Sequence, residues 1–287
     1  YCRRKLKQFN STMDKYKIAI IGAGNMGGAV ARGLDSKKYD VVVSDPFEAQ
    51  LAALKKSCPN ITVTSNNLEA VKDADLVIMA VKPYVVEPVI EGIRDYINFE
   101  RTVVASFAAP YTLEMLNDLL SKHDHMKDIL SDTVIRPMII KIIPNTAISV
   151  GKSMTFMSQL HVPDNRMKEV VDIFKTMGGV AEIPESQMPA ATALCSCGLA
   201  YVMRFIRASV EGACELGIRP ADALQYEINT LLGACQLLLS NGTNPEVEID
   251  KVTTPGGITI KGLNAMEKYG FTNAVIEGLK ASCPQKH

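Results

Sequence analysis

Gly22-Ala23-Gly24-Asn25-Met26-Gly27 is a G-x-G-x-x-G run whose flanks give it chemical meaning. Lys17-Ile18-Ala19-Ile20-Ile21, apolar and rich in β-branched residues, leads into it. Gly28-Ala29-Val30-Ala31-Arg32-Gly33-Leu34 follows, small and apolar at helical spacing. Strand, glycine turn and helix in that order form a site for a dinucleotide pyrophosphate. Gly22 permits the tight turn, Gly24 lets the backbone approach the phosphates, and Gly27 lets the helix lie close on the strand. The N–H groups at the helix start, where Asn25 and Met26 stand, then face the phosphates. Asp45 lies 23 residues after Gly22, at the tip of the next apolar run, residues 41–45. An acid there accepts hydrogen bonds from the adenosine ribose hydroxyls; before Pro46 it also reads as a turn residue.

Other polar residues stand where apolar runs stop. Lys82-Pro83 closes residues 75–81, the strongest strand signal in the chain, Ser106 lies in the run 102–107, and Pro144-Asn145-Thr146 closes 134–143. In an open α/β sheet these ends line one crevice; for Lys82 a solvated strand terminus is the alternative. A second polar turn, Thr253-Thr254-Pro255-Gly256-Gly257, precedes a helical pattern that carries Thr259. Backbone N–H groups in such a turn hold a carboxylate, with the hydroxyls of Thr254 and Thr259 beside it. Helix capping is the alternative for each threonine. Metal binding is not indicated. None of the four histidines, His123, His125, His161 and His287, has a partner at ligand spacing, and His123 and His125 fall in a polar, surface-type segment. Cys195-Ser196-Cys197 lacks the second pair a zinc site needs, which leaves helix packing for its small residues. There is no G-x-S-x-G elbow and no P-loop.

The elements that position these residues fall into two groups. Up to residue 185, apolar strands alternate with helices: strands at 17–21, 41–45, 61–63, 75–81, 102–107, 134–143, 154–156 and 180–183, with Thr112 capping a helix over 113–120. A helix over 165–177 is stopped by Gly178-Gly179. Strands without alternation imply a parallel sheet covered on both faces. From residue 187 on there is no strand pattern. A long helix over 190–216 is apolar on nearly every face, which implies burial. Pro220 opens the next helix, with a stripe at Ile228, Leu231, Leu232, Cys235, Leu238 and Leu239. Residues 245–250 form a connector, and helices at 258–269 and 271–281 close the chain. So much apolar helix surface is hard to bury within one copy and implies a dimer. The expected architecture is an α/β Rossmann-type doubly wound domain over 13–185, then an all-α dimerisation domain over 186–287.

Bulk properties fit this plan. Thirty-one basic residues balance thirty-one acidic ones, so nothing points to nucleic acid. No apolar run reaches the ~20 residues of a membrane span. Seven scattered cysteines suggest reduced thiols in a cytoplasmic protein. Residues 1–12 are basic and polar, lack a secretory core segment, and read as an extension or a misplaced start before the fold, with a transit peptide, for which twelve residues is short, as the alternative.

The chain resembles the pyrroline-5-carboxylate reductases. The resemblance covers residues 17 to about 280, with its pieces in order: Ile21-Gly22-Ala23-Gly24-Asn25-Met26-Gly27, Ala80-Val81-Lys82-Pro83, Pro144-Asn145-Thr146, Thr192-Ala193-Leu194, Gly198 with Ala200-Tyr201, and Val252-Thr253-Thr254-Pro255-Gly256-Gly257-Ile258-Thr259. The last is the most specific, similar to the family's V-T-S-P-G-G-x-T. The resemblance implies reduction of a cyclic imine, 1-pyrroline-5-carboxylate, to L-proline with NADPH or NADH, in a homodimer or higher homo-oligomer. It implies substrate contacts at Thr254, Gly256, Gly257 and Thr259, with the Thr259 hydroxyl reaching the ring nitrogen as the catalytic contact. It implies cofactor contacts at Gly22, Gly24, Asn25, Met26, Gly27 and Asp45, and at Ala80, Val81, Lys82, Pro83 and Asn145. Asp45 repels a 2′-phosphate and argues for some NADH use. The chain departs from the family at Cys195-Ser196-Cys197-Gly198-Leu199 (usually S-G-S-G-P), Arg207 (usually glutamate), Ala147 (usually proline), Ala108-Ala109-Pro110 (usually A-A-G) and Tyr84 (often glutamine). These changes bear on substrate identity. Reduction of another cyclic imine, a β-hydroxyacid-type dehydrogenase using Lys251 or Lys261, and a cofactor-binding regulator without turnover are the alternatives.

Overall fold

The computed structural model describes residues 15–121 and 136–283. Residues 1–12, His123, His125 and His287 lie outside them. The chain divides after Met188 into two compact units.

The first unit is an eight-stranded sheet in the order β3-β2-β1-β4-β5-β6-β7-β8. The strands are β1 (Tyr16–Ile21), β2 (Tyr39–Ser44), β3 (Thr62–Thr64), β4 (Leu76–Met79), β5 (Val103–Ser106), β6 (Met138–Ile143), β7 (Ser153–Leu160) and β8 (Gly178–Glu182). Strands β1 to β6 run parallel, and the order reverses direction between β1 and β4, which is where open α/β sheets bind ligands. Ile21 pairs with Ser44 on one side and Met79 on the other, and Met79 with Ser106, so their carboxyl ends share one edge. Helices α1 (Asn25–Gly33), α2 (Glu48–Ser57), α3 (Asn67–Val71), α4 (Val86–Ile93), α5 (Leu113–Ser121) and α6 (Asp164–Lys175) connect the strands. One face of the sheet packs Ile18, Ile20 and Val43 with Val30 of α1 and Phe174 of α6. The other packs Ala19, Val77 and Met79 with Ile90 of α4 and Leu116 of α5.

Three features differ from the sequence expectation. Strand β7 is antiparallel to β6 and runs on to Leu160, four residues beyond the expected 154–156; it begins with buried Ser153 and Thr155, whose hydroxyls bond each other at 3.0 Å. Gly178 and Gly179 open a strand instead of only ending a helix. Gly178 has φ +140°, and a Cβ there would meet the Ser153 carbonyl oxygen at 2.1 Å. Residues 85–97, whose sequence reads as a single helix, hold a shorter one: α4 lies between 3₁₀ turns at Pro83–Val85 and Arg94–Tyr96.

The second unit is helical: the end of α7 (Met188–Thr192), a π-helical turn at Ala193–Cys197, α8 (Gly198–Glu215), α9 (Pro220–Asn241), α10 (Pro245–Lys251), α11 (Ile258–Lys268) and α12 (Phe271–Ser282). Gly217 and Gly242, both at positive φ, follow α8 and α9. The helices α8 and α9 were expected to be buried. Within one copy of the chain only Val210 of α8 and Ala223 of α9 are, and Met203, Leu224, Leu232 and Leu239 are exposed. The run Glu185–Glu215 is also long and apolar enough, by length and composition, to cross a membrane, contrary to the sequence reading. Residues 186–203 carry no charge, but small and polar residues break them up, and Arg204, Arg207 and Glu211 follow, so no unbroken apolar run marks the segment.

At the amino-terminal edge of the sheet, buried Asp75 ties three segments together. Its Oδ2 accepts the Lys17 N–H at 2.8 Å and its Oδ1 the Arg101 Nε–H at 2.6 Å. Arg166 donates to the carbonyls of Asp75 and Arg101 at 3.1 and 2.7 Å. Burial works against the Asp75 carboxylate, but the Arg101 and Lys17 hydrogen bonds outweigh it and hold the carboxyl below its ordinary value. The stabilisation is therefore present above the unfolded-state pKa of about 4 and disappears as pH falls through the lower folded-state value. Asp75→Asn is expected to destabilise the protein by ~1–3 kcal/mol at neutral pH. The deficit shrinks toward pH 3, as denaturant melts at the two pH values would record.

Candidate functional site

The glycine turn after β1 is shaped by close approach. Gly22 has φ +102°, and a Cβ on it would meet the Ala80 carbonyl oxygen at 2.7 Å. A Cβ on Gly27 would lie 1.9 Å from the Gly22 carbonyl oxygen and 3.0 Å from the Ala80 Cβ. Around Gly24, by contrast, nothing stands within 4 Å of the corresponding position. Gly24 is the N-cap of α1, and the first helical bond is Gly28 N–H to Gly24 O at 2.8 Å. The N–H groups of Asn25, Met26 and Gly27 precede it and have no helical acceptor. No acidic residue stands in this first turn. Space above Gly24, free donors and the positive end of the helix fit a pyrophosphate.

Asp45 serves the turn that its place before Pro46 suggested, and it has a further role that the sequence did not reveal. It is 6% exposed. Its Oδ2 accepts the Ala23 N–H at 2.7 Å, and its Oδ1 accepts the Phe47 N–H at 2.9 Å. The carboxylate thus braces the glycine turn from the tip of β2, leaving only its remaining lone pairs for a ribose. Nothing in the residue spacing announces the bond to Ala23, because it joins two strand ends that only the folded sheet makes neighbours.

The other predicted positions on this edge are ordered by local turns. The Ala80 N–H donates to Ile21 O at 2.8 Å, and Ala80 and Val81 are half-buried. Lys82 is exposed and is the N-cap of the 3₁₀ turn that Pro83 begins. Asn145 is buried, and its Oδ1 accepts the Ala147 N–H at 3.1 Å. The Ser106 Oγ accepts from Ala108 at 3.3 Å. Lys141, the single charge inside β6, is buried and pairs with Glu185 at 3.5 Å; Glu185 also accepts the Leu113 N–H at 2.8 Å. That lysine belongs to the packing of α5.

In the helical unit, Thr254-Pro255-Gly256-Gly257 is a tight turn. Gly257 N–H donates to Thr254 O at 2.9 Å, and Gly256 has φ +73°. Proline second and a positive-φ glycine third are what a type II turn requires. A Cβ on Gly257 would lie 2.6 Å from Thr254 Oγ1. Gly257 is the N-cap of α11 and receives no side-chain cap. Thr259 stands in the first turn of that helix, exposed, so the capping position belongs to Gly257 and not to it. Thr253 is occupied otherwise, its hydroxyl donating to Ile249 O at 2.7 Å. Free N–H groups with an exposed hydroxyl can receive a small carboxylate. The Cys195-Ser196-Cys197 departure lies in the π-helical turn, and burial pushes the Cys195 thiol up in pKa, which makes it a poor thiolate. Arg207 pairs with Glu211 one turn on at 2.8 Å, both exposed. Among the described residues no group of three or more His, Cys, Asp or Glu side chains converges in a way that could hold a metal ion.

Gly24, in open space, and Gly27, crowded by the Gly22 carbonyl, predict different failures. Gly24→Ala is expected to keep the melting temperature within about 2 °C and to weaken dinucleotide binding, since its methyl enters the space left for phosphate. Gly27→Ala is expected to lower stability as well, because the Gly22 backbone must move. Thermal melts and dinucleotide titrations on both variants check this.

Known proteins share these features. Residues 185–287 match the family model for pyrroline-5-carboxylate reductase dimerisation, and residues 17–110 match that for coenzyme F420-dependent NADP oxidoreductases. Pyrroline-5-carboxylate reductase 2 of Dictyostelium discoideum is 33% identical over 92% of this chain and 90% of its own length. Pyrroline-5-carboxylate reductase 1 of the same organism is 34% identical over 92% of this chain; the chain spans 48% of that longer protein. The crystal structure of Plasmodium falciparum pyrroline carboxylate reductase with NADP bound superposes with a TM-score of 0.79 at 25% identity, covering 94% of this chain and 97% of that one.

Proposed function

The chain belongs to the pyrroline-5-carboxylate reductase family, and we propose that it reduces 1-pyrroline-5-carboxylate to L-proline with NADPH or NADH. The observation that carries the reading is the pairing of a fitted dinucleotide turn at residues 22–27 with a Thr-Pro-Gly-Gly turn at the start of α11. When bound, the dinucleotide supplies a hydride from its reduced nicotinamide. The glycine turn would hold its pyrophosphate on the N–H groups of Asn25, Met26 and Gly27. Asp45 would keep that turn in shape and present negative charge to the ribose, which favours NADH. Ala80, Val81, Lys82, Pro83 and Asn145 would complete the cofactor edge.

On the helical unit, the N–H groups around Gly256 and Gly257 and the Thr254 hydroxyl would hold the substrate carboxylate. Thr259 would orient the imine nitrogen through its free hydroxyl. A protonated imine is already a good electrophile, so positioning is the main contribution asked of the protein. The test is reduced cofactor with racemic pyrroline-5-carboxylate, followed by absorbance; no oxidation of NADH or NADPH would overturn the reading. Thr259→Val keeps the side-chain shape and removes the hydroxyl, at an expected cost of ~1–3 kcal/mol. That is roughly a 5- to 150-fold fall in kcat/KM, with cofactor affinity and melting temperature nearly unchanged.

The protein works as a homo-oligomer on this reading, in the cytoplasm. The family's dimerisation region covers the same helices whose apolar faces are exposed in a single copy, including an apolar groove of about 700 Å³ bordered by Phe205, Met266 and Phe271. Light scattering at micromolar concentration is expected to give at least a dimer, against 31.3 kDa for one chain; a monomer would contradict it.

A further inference from the structure

Three aromatic side chains of the first unit are exposed among the described residues: Phe47, Tyr84 and Tyr96. Tyr96 lies in the 3₁₀ turn ahead of β5, away from the cofactor edge. Phe47 and Tyr84 lie on it, in the loops that follow β2 and β4, three residues past Ser44 and five past Met79; these two strands flank β1 and its glycine turn. Phe47 is 64% exposed and Tyr84 81%. Neither makes a ring contact or side-chain hydrogen bond among the described residues, and Phe47, the N-cap of α2, supplies no capping group. Packing therefore does not account for either ring.

Two further observations give them a ligand. The Asp45 carboxylate that braces the phosphate turn also holds the Phe47 N–H, so the Phe47 backbone is fixed relative to the pyrophosphate site. The tip of the second strand is the adenosine side of such a crevice, and the base is attached to the ribose beside Asp45. Strands β2 and β4 are two inter-strand spacings apart, about 10 Å, which leaves room for one flat ring between side chains carried on the loops that follow them. We propose that the adenine ring of the dinucleotide stacks between Phe47 and Tyr84. This rests on the dinucleotide site described above and adds the residues that recognise its base. A π-face contact is indifferent to the 2′-phosphate, so the clamp serves NADH and NADPH alike and leaves their discrimination to Asp45.

The test is titration of the full-length protein with NADH, with ADP-ribose and with reduced nicotinamide mononucleotide, which lacks the adenosine half. Phe47→Ala and Tyr84→Ala are each expected to raise the Kd for NADH and ADP-ribose roughly 5- to 100-fold, the range of aromatic–base stacking. The mononucleotide Kd stays unchanged in both. Phe47→Tyr keeps a stacking face and retains affinity. Either alanine variant binding ADP-ribose as tightly as the unmodified protein would overturn the clamp, as would an equal loss for the mononucleotide, which signals a damaged turn. If the unmodified protein binds neither NADH nor ADP-ribose, the dinucleotide site itself is wrong.

Discussion

The first unit depends on there being no side chain at Gly27. A Cβ there would overlap the Gly22 carbonyl, so only glycine lets α1 press onto the end of β1. That contact aims the start of α1 along the carboxyl edge of the sheet. The same crowding reaches the next strand, since Ala80 closes on both Gly22 and Gly27. Strand ends β1 and β4 are thereby held at the point where the sheet order reverses. From the other side the Asp45 carboxylate fastens β2 to the turn through Ala23. A phosphate cradle made of backbone N–H groups has no side chains to adjust, so its precision rests on these neighbours.

Much of this was legible in the sequence, because buried parallel strands are apolar on both faces and the glycines stand at fixed offsets. Residues 18–21, 41–44 and 76–79 announced themselves as strands. What escaped was set by contacts distant in sequence. The far end of β7, through Leu160, is ordered by antiparallel pairing with Ile139 to Ile143 of β6, which the local pattern does not show. The bond from Ala23 to Asp45 has no local signature, and neither does the pairing of Lys141 with Glu185, 44 residues apart. In the helical unit, the apolar helix surface implied covering by a second copy, and the family's dimerisation region matches those same helices.

The polar strand ends invited a ligand reading, and the structure gives them a prior duty. After β2, Asp45 accepts from Phe47; at the end of β5, Ser106 accepts from Ala108; after β6, Asn145 accepts from Ala147. At the end of β3, Thr64 accepts from Asn66. Each bond spans two residues, the side chain imitating the carbonyl of a turn. A strand emerging at the crowded edge must change direction at once, and its first N–H groups lose their sheet partners. A short polar side chain solves both problems. The crevice is therefore lined with side chains already spent on the backbone, and what remains for a ligand is mainly N–H groups, outward lone pairs and ring faces. Such a surface can bind and orient but offers few groups for proton transfer. That is sufficient for reduction of an imine, because the substrate brings its own electrophile and the protein has only to hold it in place. The helical unit follows the same logic: its turn presents N–H groups and hydroxyls, and Thr259 stands exposed in the first turn of α11 while Gly257 takes the capping position.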